Sequence, residues 1–285
     1  RYNRFMYDVL TIGTATRDVF LRSKLFRPVT DIHFLGSKNF PTGEAECFAF
    51  GGKIEVDAPV FTVGGGAVNS AVTFARQGLV TAAMCAVGKD DAGKVVINAL
   101  KHESIKTIIS YARDVATSYS TVLLSDVGER TILVYRGASD NLPRARALET
   151  RAVYVAPGAM PHQPLLRLLC RYKSAGSMIA MNPSGHYIKL GMKMMQKFFE
   201  LLDVVIMNRE ESASLTGIAY QEEKNILSRL REILPGIIVV TDGAKGSTVL
   251  SHDKMFRAGI FHNEQVIDRT GAGDAFGSGF IAGIM

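Results

Sequence analysis

The chain alternates short apolar runs with segments whose apolar positions recur every three or four residues. Tyr7–Ile12 and Val80–Val87 read as strands, and Ala67–Gln77 and Asp90–Glu103 as helices, with Asp90 placed to cap the second. The rhythm resumes at Ala152–Ala156 (strand), Gln163–Lys173 (helix) and Ser177–Met181 (strand). It continues through Asp203–Met207 (strand), Glu222–Ile233 (helix) and Ile237–Thr241 (strand). Strands alternating with helices predict an α/β fold, three layers with a mainly parallel central sheet covered on both faces.

Two stretches break the rhythm. Residues 19–63 hold extended pieces, ending in Ala58–Val63, and no clear helix. Ser118–Ser125 and Thr131–Arg136 flank Gly128-Glu129 and read as a β-hairpin. Antiparallel pieces do not join a parallel core easily, so the pattern predicts a small β-sheet lid. The expected organisation is one domain over residues 1–285, with lid segments at about 19–63 and 118–136.

Composition narrows the classes. The net charge of +6 comes from dispersed basic residues, with no Lys/Arg block interleaved with aromatics and no Trp. That argues against a nucleic-acid partner and points weakly to phosphorylated ligands. The longest uncharged stretch, Ala58 to Ala75, is too polar for a bilayer span of about 20 apolar residues, and the first residues carry no leader-like apolar run. Three scattered cysteines form neither a disulfide framework nor a zinc knuckle. The expectation is a cytoplasmic protein with reduced thiols. Six histidines show no metal-ligand spacing, and Lys245-Gly246-Ser247 lacks the glycine spacing of a P-loop.

The strongest chemical signal is Val266-Ile267-Asp268-Arg269-Thr270-Gly271-Ala272-Gly273-Asp274, followed by a run of small and apolar residues. A short strand enters a glycine turn and then a helix, whose free N–H groups and positive dipole end suit an anion. Asp274 in that first turn reads either as a helix-terminal residue at a tight turn or as an acid–base group beside bound phosphate.

The arrangement resembles the Asp-Thr-Thr-Gly-Ala-Gly-Asp motif of the ribokinase-like (PfkB) carbohydrate kinase family, and five further motifs follow the family's order. Gly13-Thr14-Ala15-Thr16-Arg17-Asp18 closes the first strand with a carboxylate. Gly64-Gly65-Gly66-Ala67-Val68-Asn69 is similar to the Gly-Gly-x-x-x-Asn substrate loop. Val87-Gly88-Lys89-Asp90-Asp91-Ala92-Gly93 resembles the Gly-x-Asp-x-x-Gly turn. Asn208-Arg209-Glu210-Glu211 matches Asn-x-x-Glu, and Thr241-Asp242-Gly243-Ala244-Lys245-Gly246 resembles the nucleotide loop Thr-x-Gly-x-x-Gly. Each motif alone is weak. Six in order across residues 8–285 are not an accident.

The resemblance implies an ATP-dependent transfer of the γ-phosphate to a hydroxyl of a sugar, sugar acid or related polyol. Asp274 would be the general base, and Gly271, Ala272 and Gly273 the anion hole. Asp18, Gly65, Gly66 and Asn69 would hold the acceptor. Asn208, Thr241, Gly243 and Gly246 would contact the nucleotide, with Glu211 holding Mg²⁺ through water. By residue type alone Asp18 also reads as a strand-end turn residue, Asn69 as a helix cap, and Arg136 as either a solvated charge or an anion contact. Asp268 and Thr270 leave room for a monovalent cation such as K⁺, although Arg269 departs from the family pattern. The relatives imply a homodimer through the lid and further helices beyond residue 285 that wall the adenine pocket, so the sequence is expected to be incomplete. A nucleoside kinase on the same scaffold and a non-catalytic sugar- or nucleotide-binding relative are the alternatives. A Rossmann oxidoreductase is excluded because the first βα turn lacks Gly-x-Gly-x-x-Gly.

Overall fold

The computed structural model describes residues 6–30, 44–125, 130–143, 148–261 and 270–285. The strands, in chain order, begin with β1 (Tyr7–Gly13), β2 (Thr16–Arg22), β3 (Pro28–Thr30), β4 (Glu44–Glu46) and β5 (Val60–Gly64). Next come β6 (Thr81–Val87), β7 (Lys106–Tyr111), β8 (Ser118–Leu124), β9 (Arg130–Tyr135) and β10 (Thr150–Ala156). The last are β11 (Met178–Met181), β12 (Val204–Asn208), β13 (Ile237–Thr241), β14 (Ser247–Ser251) and β15 (Lys254–Ala258). The helices are α1 (Gly66–Arg76), α2 (Asp91–His102), α3 (His162–Ser174), α4 (Gly185–Ile188), α5 (Met192–Phe199), α6 (Arg209–Thr216), α7 (Glu223–Ile233) and α8 (Ala272–Ile284).

Nine strands form the main sheet in the order β15-β14-β13-β12-β11-β10-β1-β6-β7. All neighbours pair in parallel except at the edge, where β14 runs against both β13 and β15. Its inner strands are mostly apolar on both faces because helices cover both sides. Val9, Tyr154 and Ile206 face Phe74 of α1 and Ile281 of α8. Leu10, Ile12, Val153 and Val155 face the other way, toward α3, α5 and α7. A third cluster joins Val68 and Ala71 of α1 to Ala83 and Cys85 of β6 and to Val96 and Leu100 of α2.

From β1 the chain first builds β6 and β7 on one side, then crosses to β10 on the other. The order therefore reverses between β1 and β10, and their carboxyl ends, Gly13 and Ala156, pair directly. Open α/β sheets bind ligands in the crevice at such a switch point.

The lid is a second sheet, β5-β2-β8-β9, with β2 and β8 parallel and the outer pairs antiparallel. A two-stranded piece, β3-β4, accompanies it. The expected hairpin is present as β8 and β9, but its Gly128-Glu129 turn lies outside the described residues. One correction concerns the first motif: Asp18 does not close β1. The chain breaks after Gly13 and enters the lid at Thr16, so Asp18 is the third residue of β2, paired with Thr62 and Ser120. Strand β7, helices α4 and α5 and the β14–β15 hairpin were not anticipated. Among the described residues no helix is long and apolar enough to cross a membrane.

Candidate functional site

The switch point is roofed by the Gly64–Asn69 segment. Gly65 caps α1 with φ 95°, and the Gly66 N–H donates to Thr14 Oγ1 (2.9 Å), which fastens the helix start to the β1–β2 corner. A Cβ at Gly66 would stand 2.5 Å from the Ala156 side chain and 3.4 Å from Asp274 Oδ1. Only glycine lets the loop lie between the end of β10 and that carboxylate.

Asp274 is the third residue of α8, whose N-cap is Gly271 in the left-handed region at φ 77°. The first intrahelical bond runs from the Ala275 N–H to the Gly271 carbonyl. The helix therefore leaves the N–H groups of Ala272, Gly273 and Asp274 without an acceptor of its own, at the positive end of its dipole. The Asp274 side chain makes no cap bond. Instead Asn69 Nδ2 donates to its Oδ2 at 2.8 Å. Burial pushes the Asp274 carboxyl above the usual aspartate range, opposed by the Asn69 hydrogen bond that favours the ionised form. Asn69 is not a helix cap, because its own N–H already donates to the Gly65 carbonyl inside α1.

Asp18 reaches the same segment from the lid. It is 9% exposed, and its Oδ1 is buried with no partner. A buried, unpaired carboxylate oxygen is costly unless a donor arrives. Asp18, Asn69 and Gly271 all line one cavity of about 480 Å³, whose apolar walls include Phe20, Val63 and Val72. Beneath α8, Tyr154 and Ser70 bury hydroxyls that make no hydrogen bond of ordinary geometry. Burial, and the Asp274 charge nearby, push the Tyr154 phenol well above its usual range.

The remaining expected residues form a second group on the same carboxyl edge. Asn208 ends β12 and pairs with Thr241 at the end of β13. Asn208 and Glu211 close a reciprocal capping box: Asn208 Oδ1 accepts the Glu211 N–H (2.7 Å) and Glu211 Oε2 accepts the Asn208 N–H (3.0 Å). Burial raises the Glu211 carboxyl pKa, the Asn208 N–H lowers it, and Glu210 raises it further, with a net upward shift. Gly243 and Gly246 bound a single 3-10 turn, closed by the Asp242 N–H donating to the Gly246 carbonyl (2.8 Å). Among the described residues no cluster of three or more His, Cys, Asp or Glu side chains could hold a metal alone. Mg²⁺ usually keeps several waters and shares carboxylates with substrate phosphates. The half-buried Glu211 beside Glu210 fits that outer role.

Reading the sequence missed the knot under this loop. Arg209, 7% exposed, donates to Asp242 Oδ2 (2.7 Å) and lies over the Tyr220 ring at 4.5 Å. The Tyr220 hydroxyl donates to Asp242 Oδ1 (2.6 Å). Burial would raise the Asp242 carboxyl pKa, but these partners outweigh it and hold it low. No local signal marks the trio, because 33 residues separate Arg209 from Asp242. Arg136 is exposed, a solvated charge at the root of the lid. Asn182 donates to the Ile206 carbonyl (3.1 Å) and ties the ends of β11 and β12. Asp268 and Arg269 lie outside the described residues.

Comparison with known proteins identifies the family and the fold. The chain is 28% identical over 224 residues to a ribokinase of Mus musculus, covering 75% of this chain and 68% of that protein. It is 24% identical over 223 residues to a nucleoside kinase of Methanocaldococcus jannaschii, covering 77% and 71%. The structure of Arabidopsis thaliana ribokinase complexed with ribose and ATP superposes with a TM-score of 0.73 at 18% identity, covering 98% of this chain and 86% of that one. The family model for pfkB family carbohydrate kinases matches residues 29–285. The chain therefore belongs to the pfkB family of carbohydrate kinases, ATP-dependent phosphotransferases.

Proposed function

We propose that this kinase uses Asp274 as general base on an acceptor hydroxyl held between Asp18 and Asn69. The observation that carries the reading is the Asn69–Asp274 hydrogen bond at the β1–β10 switch point. It holds a half-buried carboxylate in the first turn of α8, beside N–H groups that have no acceptor within the helix. The unpaired Asp18 oxygen awaits a donor such as a sugar hydroxyl, and Asn69 both donates and accepts. Asp274 takes the proton as the hydroxyl oxygen attacks the γ-phosphorus and the bond to the β-phosphate bridging oxygen breaks. The N–H groups of Gly271, Ala272 and Gly273 stabilise charge on the phosphoryl oxygens, the main catalytic task in phosphoryl transfer.

The second group lies two to three strand positions from β10, about 10–15 Å along the sheet edge at about 4.8 Å per strand. In this reading Asn208, Thr241, Gly243 and Gly246 hold the nucleotide there. Glu211 orients the water shell of Mg²⁺, which when bound neutralises the phosphate charge. Lid closure over the acceptor would exclude water and limit wasteful ATP hydrolysis.

The acceptor is a sugar or a nucleoside. The cavity's volume of about 480 Å³ falls within the roughly 300–1,000 Å³ of small-molecule pockets. Its apolar walls of Phe20, Val63 and Val72 favour an acceptor carrying a flat apolar group. A second copy of the chain is the proposed cover of β9, an edge strand whose Leu133 and Val134 are 57% and 54% exposed. A cytoplasmic setting is consistent with these substrates. Incubating the full-length protein with Mg-ATP and ribose, fructose, 2-keto-3-deoxygluconate or adenosine tests the reading. Transfer to one of them is expected, and no transfer to any hydroxyl acceptor would overturn it.

A further inference from the structure

The Gly88-x-Asp90-x-x-Gly93 turn touches none of the groups assigned above, yet it is tied to the lid. Asp90 is the N-cap of α2, its Oδ1 accepting the Gly93 N–H (2.8 Å). The same carboxylate reaches across to the residue that precedes strand β8. Asp90 Oδ2 accepts the Thr117 N–H (2.7 Å), and Oδ1 accepts the Thr117 hydroxyl (2.5 Å). Thr117 Oγ1 in turn accepts the Gly88 N–H (2.9 Å), which closes a ring. A Cβ at Gly88 would stand 2.6 Å from the Thr117 nitrogen, and one at Gly93 2.9 Å from its hydroxyl oxygen. All three motif residues thus bond or crowd one buried threonine, and a Cβ at Gly93 would also stand 2.6 Å from the Gly88 carbonyl oxygen.

The lid has a second clamp at the same level. Ser139 Oγ donates to the Ala15 carbonyl (2.7 Å) and accepts the Ala15 N–H (3.3 Å), while the Ala138 N–H donates to the Ala116 carbonyl (2.9 Å). Immediately beyond the clamps, Ser118 pairs with Thr16 and Ser120 with Asp18. Asp18 therefore stands only two residues, roughly 7 Å, past the root of the lid.

We propose that Asp90 is a positioning residue: by gripping Thr117 it sets the angle at which β8 and β2 leave the core, and so the place of Asp18 over the acceptor. This rests on the reading of Asp18 as an acceptor-binding group. Asp90→Asn isolates the effect. Asparagine still caps α2 through its carbonyl oxygen, but its NH₂ faces the Thr117 N–H, donor against donor. Thr117→Val removes the hydroxyl arm, and Thr117→Ser retains it.

Two measurements decide the matter. In the first, hydrogen–deuterium exchange of the apo protein compares lid strands β2 and β8 with core strands β10–β12. Asp90→Asn and Thr117→Val should speed exchange in the lid and leave the core unchanged, and Thr117→Ser should match the parent. In the second, the KM for whichever panel acceptor turns over should rise ten- to a hundredfold, on the order expected for a misplacement of about 1 Å. The KM for ATP should hold, and serine should rescue. Lid exchange equal to the parent in both variants, or serine as impaired as valine, would overturn the proposal. Should Asp18→Asn leave the acceptor KM unchanged, the reading of Asp18 fails instead, and the exchange data judge the grip on Thr117 alone.

Discussion

The seating of the helix that carries Asp274 can be tested through one overlap. Tyr154 is fully buried, edge-on to Phe74 at 5.7 Å between ring centroids, and its hydroxyl lies against Gly277 in α8. A Cβ at Gly277 would overlap that hydroxyl oxygen, with the next nearest atoms, Ile206 Cδ1 and Tyr154 Cζ, at 3.3 and 3.4 Å. Overpacking of this kind costs about 1–3 kcal/mol. Replacing an interior helical glycine by alanine returns about 1 kcal/mol. The overlap wins, so Gly277→Ala should destabilise by up to about 2 kcal/mol. Tyr154→Phe alone removes a buried hydroxyl whose contact with Ser70 lacks ordinary hydrogen-bond geometry, and should be neutral or stabilising by about 1 kcal/mol. In the Tyr154→Phe background the overlap is gone, the 3.3 Å contact is tolerable, and Gly277→Ala should stabilise by up to about 1 kcal/mol. The sign of one substitution thus reverses with the state of the other. Urea unfolding of the four proteins, read as midpoints at constant m, measures the coupling. The expected interaction energy is about 1–3 kcal/mol, and additivity within about 0.5 kcal/mol would refute this packing of α8. Turnover should follow stability, falling in Gly277→Ala and returning in the double variant.

Two other outcomes are expected. Because burial raises the Asp274 carboxyl and the base must be ionised to act, the acid limb of kcat/KM should lie above the ordinary aspartate pKa of about 3.9. Asn69→Ala removes a bond that favours the ionised form, so its limb should move to still higher pH; an unmoved limb would mean the bond does not tune the base. Glu211→Gln keeps a carbonyl to accept the Asn208 N–H and so preserves the capping box, yet loses the charge. It should raise the apparent Mg-ATP KM by about 10–100-fold with little change in melting temperature; an unaltered KM would remove Glu211 from the metal's surroundings.

The core was legible in the sequence because two-sided burial leaves continuous apolar strands between helices of clear period. Asp90 was legible as a cap for the same local reason. What escaped was set by contacts distant along the chain. Strand β2 reads poorly because its inward positions include Asp18, a polar residue facing a cleft rather than a core. The β14–β15 hairpin turns on His252, which adopts a positive φ of 48°, and its outer strand is exposed at every residue, so neither glycine nor alternation announces it. Within the candidate site, the motifs named individual residues but not their relations. That Asn69 serves Asp274, that Asn208 and Glu211 cap a helix together, and that Asp90 grips Thr117 all depend on the folded chain.

Steady-state phosphoryl transfer by Asp274→Asn, with ATP binding measured separately by calorimetry, tests the account most directly. The side chain is nearly isosteric and keeps an oxygen to accept from Asn69 Nδ2, so the crevice should persist. Turnover should fall roughly 10²–10⁴-fold while ATP affinity stays within a few fold. Turnover equal to the parent enzyme would show that another group takes the proton.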